Sequence, residues 1–232
     1  MDVVILAAGY GTRLNNNLPK GLIKINDESI VESNIKRIHD VTKINKIIVV
    51  TNRIFENSYK LFLEKLEIKH ETIINESVER GNGYSLFLAE KGISTNKFIM
   101  IMSDHLFSKA FIRRAISGSG LAVDKAPIYY DLEDATKVLV DSKGYVKSIG
   151  KNLTKFNYID TGFFILNKAI FEVIKGITNR QKKVGVSDII RESRCKTVDV
   201  TGNFWIDIDT QLDLEVARTR TRRSSKIINS NG

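Results

Sequence analysis

Apolar and polar positions along this chain alternate between two spacings. Short runs in which almost every position is apolar occur at residues 3–6, 46–51 and 97–103. That length and density suit strands buried on both faces of a sheet. Residues 71–75 read as a short strand. Between the runs, apolar residues recur three and four positions apart. Residues 29–39 place Val31, Ile35 and Ile38 towards one face, and 55–66 place Tyr59, Phe62, Leu63 and Leu66 in a stripe. Residues 84–91 complete the helical stretches of this half. Strands separated by helices predict a mainly parallel sheet in a three-layer α/β/α arrangement.

The pattern changes after Phe107. A helix is predicted at 108–116, followed by an apolar stretch at 121–124. Strands at 136–140 and 145–149 flank Asp141-Ser142-Lys143-Gly144, whose residue types suit a hairpin turn. Further strands are predicted at 161–166, 196–200 and 204–208, with helices at 168–175 and 187–194 and from Gln211 onward. Ser187 is the expected cap of its helix. No repeat, low-complexity segment or Pro/Ser-rich linker divides the chain, so one domain with two lobes is expected.

In such sheets ligands sit beyond the carboxyl ends of the strands. Three sequence features fall there. After the first run come Ala7, Ala8, Gly9, Tyr10, Gly11, Thr12 and Arg13, then Pro19 and Lys20. Small residues allow a sharp turn whose N–H groups can cradle anionic oxygens. Arg13 adds a planar donor fork and Lys20 a mobile point charge. The third glycine of a dinucleotide fingerprint is replaced by Leu14, which disfavours an NAD enzyme. No ATPase P-loop is present. Alone, the turn is as compatible with plain structure as with a ligand. Asp104 ends a strand in MIMSDH, where it can hold a hard cation or cap a turn. Asp207 and Asp209 in WIDIDT share a strand face. Metal binding is assigned to Asp207 and a cap on the last helix to Asp209.

Composition narrows the classes. The 232 residues are 42% hydrophobic and 27% charged, ordinary for a globular protein. No apolar stretch is long enough to span a membrane, and the first residues read as a strand without a basic region or cleavage site, so secretion is not expected. The lone Cys195 makes a cytoplasmic location the default. A formal charge of +9 suits an anionic partner. Part of that excess crowds into Arg218, Arg220, Arg222, Arg223 and Lys226, in a tail (218–232) expected to fray. It lacks the interleaved aromatics of a nucleic-acid binder, so no nucleic acid is expected.

The string GYGTRL, a spacer and PK resembles the signature of nucleotidyltransferases that join an NTP to a sugar phosphate or alcohol phosphate. RGNGYSL, MSDH, the ATK of DATKV, IGKNL, IDTGFF and WIDIDT follow in order. Together they resemble the CTP:inositol-1-phosphate cytidylyltransferases, from Val3 to about Thr210. The resemblance implies a Rossmann-like GT-A-type nucleotidyltransferase fold over 1–217, with a nucleotide-binding half to about 106 and an acceptor-binding half from 107. It implies that Leu6, Ala7, Ala8, Gly9, Gly11, Thr12 and Arg13 hold nucleotide. Lys20 and Arg13 are then catalytic, and Gly81, Asn82 and Ser85 read the base. Asp104 and Asp207 would hold Mg²⁺, with Asp104 also against the nucleotide. Lys137, Lys151, Asp160, Thr161 and Gly162 would face the acceptor. His105 is read as a structural donor.

The implied substrates are CTP and inositol 1-phosphate. A separate membrane CDP-alcohol transferase is implied downstream. Another acceptor, such as a sugar 1-phosphate or phosphocholine, would keep the same catalytic residues. A nucleotide sensor without turnover would not need Lys20, Asp104 and Asp207 together.

Overall fold

The computed structural model describes residues 1–11 and 18–229. Its elements, in order, are β1 (Asp2–Ala7), β2 (Lys24–Ile25), β3 (Glu28–Ser29), α1 (Ile30–His39), β4 (Ile47–Thr51), α2 (Glu56–Leu63), β5 (His70–Ile74), α3 (Asn82–Ala89), β6 (Lys97–Met102), β7 (His105–Phe107), α4 (Lys109–Ile116) and β8 (Gly120–Asp124). Then follow β9 (Lys137–Val140), β10 (Val146–Gly150), β11 (Tyr158–Asn167), α5 (Ile170–Thr178), α6 (Val186–Glu192), β12 (Thr197–Asp199), β13 (Trp205–Asp207) and α7 (Gln211–Asn229).

The continuous apolar runs become the centre of the sheet. Among the described residues, nine strands form it, with the path β10-β9-β11-β6-β1-β4-β5, with β8 also paired to β11 and β12 paired to β8. β6, β1, β4 and β5 run parallel, whereas β11 lies antiparallel to β6. The expected mixed, mainly parallel three-layer architecture is what forms.

Strand alternation sends successive side chains to opposite layers. In β1, Val4 and Leu6 join one core with Leu86, Ile174 and Ile190, while Val3, Ile5 and Ala7 join the other with Ile35, Tyr59 and Phe111. A third, smaller core gathers Ile30, Leu106, Ile206, Leu214 and Ala217. It seats α7 on the paired β7 and β13.

Helix α1 starts where Ser29 and Glu32 exchange bonds with each other's backbone N–H, a capping box. Two expected caps differ. Ser187 lies inside the first turn of α6; Gly185 is the cap residue, and the Asp188 carboxylate accepts from its N–H at 2.9 Å. Asp209 does not cap α7. Thr210 Oγ1 and Asp213 exchange the capping bonds there, because Asp209 faces Lys20 instead. The stretch from 218, expected to fray, continues α7 as far as Asn229, and Arg220 packs over the Tyr129 ring. The short β7 and the β2–β3 pair were not foreseen, since two or three residues carry no periodicity.

Asp2 fastens the first strand. Its buried carboxylate accepts from Asn45 Nδ2 (2.6 Å), Ser94 N (2.6 Å), Ser94 Oγ (3.0 Å) and Thr95 N (2.9 Å). Burial works to raise its pKa. The bonds from Asn45, Thr95 and Ser94 outweigh burial and hold it below the ordinary carboxylate value. The stability this gives is present above the unfolded pKa of about 3.9 and is lost as pH falls through the folded value. Asp2→Asn is expected to cost about 2 kcal/mol at pH 7. In urea denaturation the gap to wild type should narrow at pH 3, and an equal gap at both pH values would refute this account.

Candidate active site

β1 and β6 are neighbours and end together. Ser103 N donates to Leu6 O at 3.1 Å, and Asn52 Nδ2 to Ala8 O at 3.0 Å. These bonds fix the turn after β1. Leu6, Ala7, Ala8, Gly9 and Gly11 then line a cavity of about 290 Å³, with Gly81, Asn82, Ser85 and Asp104 opposite. Gly11 has φ +61°, which favours glycine, and a Cβ there would lie 3.0 Å from the Lys20 side chain. Thr12 and Arg13 lie outside the described residues.

The second glycine turn is welded to the later half of the chain. Gly81 has φ +89°, and a Cβ there would come within 2.5 Å of Val184 O. Gly83 N donates to that same oxygen at 2.9 Å, and Val184 N donates to Arg80 O at 2.7 Å. Asn82 Oδ1 accepts from Val186 N at 2.8 Å. Ser85 is buried and accepts from Asn75 Nδ2 at 2.9 Å.

A larger cavity of about 780 Å³ opens on the other side. Gly11, Lys20, Asn82, Met102 and Asp104 line both cavities and form the wall between them. Lys20 sits in that wall. Its ammonium is paired with Asp209 and lies 3.7 Å from Asp104 Oδ2. Burial works to lower its pKa, but Asp104, Asp209 and Asp207 more than offset this, so Lys20 stays charged.

β7 and β13 pair antiparallel with His105 opposite Asp207. That register brings together residues about a hundred positions apart. His105 Nδ1 lies 2.9 Å from Asp104 Oδ1 and 3.6 Å from Asp207 Oδ1. One ligand atom from each of the three residues lies within 4.8 Å of the others. Asp207 Oδ1 is buried and makes no hydrogen bond. Burial opposes charge on His105, yet Asp207, Asp104 and Asp160 carry its pKa up to about 9. Burial likewise raises both aspartates. His105 and Lys20 reverse this at Asp104, which ends lowered, while Asp104 and Asp209 help keep Asp207 raised. Trp205 lies parallel to the His105 ring with centroids 6.2 Å apart.

The acceptor-side expectations separate. Asp160, Gly162 and Lys151 line the larger cavity. Burial pushes the Asp160 carboxyl up to about 6, against a 2.8 Å bond from Gly162 N. Lys151 is paired with Asp134. Lys137 is not among the lining residues; its Nζ donates to Lys151 O at 2.8 Å. Thr161 turns the other way, because strand alternation buries it, and its hydroxyl donates to Ala122 O. Cys195 has no catalytic setting, and burial lifts its thiol to about 11. The sequence reading missed the Lys20–Asp209 pair, although the alternation in WIDIDT marked Asp209 as sharing Asp207's face. It also missed Tyr59, whose buried hydroxyl lines the smaller cavity without a well-aligned hydrogen bond.

The model of the MobA-like NTP transferase domain matches residues 3–151. The chain belongs to that family. It is 42% identical over 218 residues to the "Bifunctional IPC transferase and DIPP synthase" of Aquifex aeolicus, covering 93% of this chain and 50% of that protein. It is 38% identical to the protein of that name from Thermococcus kodakarensis, covering 96% of this chain and 51% of the relative. This transferase chain thus spans about half the length of the curated relatives it matches. Among solved structures, the inositol-1-phosphate CTP transferase from T. maritima superposes with a TM-score of 0.84 at 25% identity, covering 93% of each chain.

Gly162 tests how tightly this family site is packed. It has φ +72°, and a Cβ there would lie 2.7 Å from His105 Cδ2. Gly144 has φ +80° with nothing within 4 Å of such a Cβ. Gly144→Ala therefore measures backbone strain alone, about 1 kcal/mol. Gly162→Ala should be distinctly more destabilising in urea denaturation; equal effects would mean His105 yields freely.

Proposed function

We propose that the chain is a cytidylyltransferase that joins CTP to inositol 1-phosphate, giving CDP-inositol and pyrophosphate. The observation that carries this reading is the shared wall. A bond between two substrates is best made where two cavities meet, and Lys20 and Asp104 stand there. The smaller cavity, with its two glycine turns, suits the nucleotide. The larger suits the acceptor. Its Asp131, Asp134 and Asp160 carboxylates suit the hydroxyl groups of a polyol ring. Likeness to the T. maritima inositol-1-phosphate CTP transferase supports CTP and inositol 1-phosphate, and likeness to the IPC transferases supports a transferase.

The acceptor's phosphate oxygen attacks the α-phosphorus of CTP, forming the new P–O bond. The bond from the α-phosphorus to the bridging oxygen breaks, and pyrophosphate leaves. No protein nucleophile is required, so orientation and charge do the work. Lys20, held charged by its carboxylate neighbours, stabilises the negative charge that develops on the phosphates. Arg13 and the N–H groups of the first turn are assigned to the triphosphate.

Asp104 and Asp207 fit a hard cation such as Mg²⁺. Both offer oxygen, and the orphaned buried Asp207 Oδ1 is the kind of atom a cation satisfies. When bound there, Mg²⁺ supplies charge neutralisation that lets two anionic substrates approach. His105 is assigned to hold Asp104 in place rather than to coordinate.

Use of a nucleoside triphosphate and a single cysteine suit work in the cytoplasm. Among the described residues no helix is long and apolar enough to cross a membrane. A membrane CDP-alcohol transferase activity is the proposed consumer of the product.

Pyrophosphate release with Mg²⁺ should be measured for CTP, UTP, GTP, ATP and dTTP against inositol 1-phosphate, glucose 1-phosphate and phosphocholine. Release is expected with CTP and inositol 1-phosphate. Another productive pair would replace the substrate and keep the mechanism; no release at all would favour a nucleotide sensor. Lys20→Ala and Asp104→Ala should each lower turnover about 100-fold or more with the fold intact. Near-normal turnover in either would remove the assigned roles.

A further inference from the structure

We infer that Asn34, on helix α1 and outside both cavities, is a positioning residue that sets the spacing of the Asp104–His105–Asp207 cluster. This inference rests on the reading that Asp104 and Asp207 hold the cation. Asn34 is fully buried. Its Nδ2 donates to His105 O at 2.6 Å, and its Oδ1 accepts from Phe107 N at 3.1 Å. In an extended strand the polar groups of residues two apart point to the same edge. The Asn34 amide, with Arg37 Nη1 donating to Phe107 O at 2.7 Å, therefore does for β7 what a third strand would do. The opposite edge of β7 is already occupied by β13.

The choice of residue argues against simple packing. Val31, Ile35 and Ile38 on the same helix enter an apolar core. Asparagine is a poor residue for a helix interior, and a buried amide is costly unless bonded. A leucine would serve a packing role at lower cost. The amide is bonded only to the two backbone groups that flank Leu106. Because β7 carries β13 by its register, whatever fixes His105 also fixes the residue opposite, Asp207. Asp104 directly precedes the held carbonyl. On the far side, buried Asp124 accepts from Trp205 Nε1 at 2.8 Å, which anchors the β13 end of the same ribbon.

The test is Mn²⁺ binding, followed by the electron paramagnetic resonance signal of the free ion, with no nucleotide present. Asn34→Ala should bind Mn²⁺ about 10-fold more weakly than wild type, as expected when a group supporting a ligand is removed. Turnover in that variant should recover as Mg²⁺ is raised. Asn34→Asp keeps the acceptor for Phe107 N and loses the donor to His105 O; it should also bind more weakly, and it carries the test if Asn34→Ala does not fold. Ile112→Val, on the buried face of α4, is the comparison: it should lower thermal stability and leave Mn²⁺ affinity unchanged. Wild-type affinity in a folded Asn34 variant, with Asp104→Asn abolishing binding, would overturn the positioning role and leave the cation reading standing. Unchanged binding in Asp104→Asn would overturn both.

Discussion

The antiparallel pairing of β7 with β13 is the contact on which the site depends. It is only three residues long on each strand, and isolated ribbons of that size are not stable in water. Its persistence comes from what surrounds it. Leu106 and Ile206 are buried in the third core, Asn34 satisfies one free edge, and Asp124 holds Trp205. Without this ribbon, Asp104 and Asp207 would have no reason to meet, since about a hundred residues separate them.

Meeting creates an electrostatic problem. Asp104, Asp207 and Asp209 converge in a half-buried cleft, where like charges repel and desolvation is expensive. Lys20 and His105 relieve part of this, Lys20 by pairing with Asp209 and approaching Asp104, His105 by facing Asp104 and Asp207. The compensation is incomplete at Asp207, whose pKa stays raised and whose Oδ1 makes no hydrogen bond. An excess of negative potential in an otherwise basic protein is a suitable setting for a cation, and the family to which the chain belongs acts on nucleoside triphosphates.

The sheet was legible because buried parallel strands are continuous apolar runs, and β1, β4 and β6 each appear as one. The glycine turn and Asp104 were legible because they follow such runs directly. Asp207 stood out by type and position, but His105 had no visible place between two carboxylates, because pairing across a hundred residues leaves no local trace. Asp209 was misread as a cap for a related reason. Next to a helix start an aspartate looks like a cap, and only the fold brings Lys20 close enough to claim it. Thr161 was carried in by its motif, yet alternation along β11 turns it into the core. Asn34 gave no signal at all: one polar residue on an amphipathic helix is unremarkable until its neighbours are known.

The place of β11 in the sheet has a consequence for any shortened form of the chain. β11 covers the edge of β6 from Phe163 to Asn167, with β6 reading Lys-Phe-Ile-Met-Ile-Met. The match to the MobA-like family ends at residue 151, before β11 begins. A fragment cut there would carry every residue of the first glycine turn and Asp104. It would also expose a row of unpaired backbone groups beside a strongly apolar strand, the feature that templates edge-to-edge association between molecules. The returning strand thus acts as a seal against self-association, and the first half of the chain is tied to the half that follows by solubility as well as by the site they share.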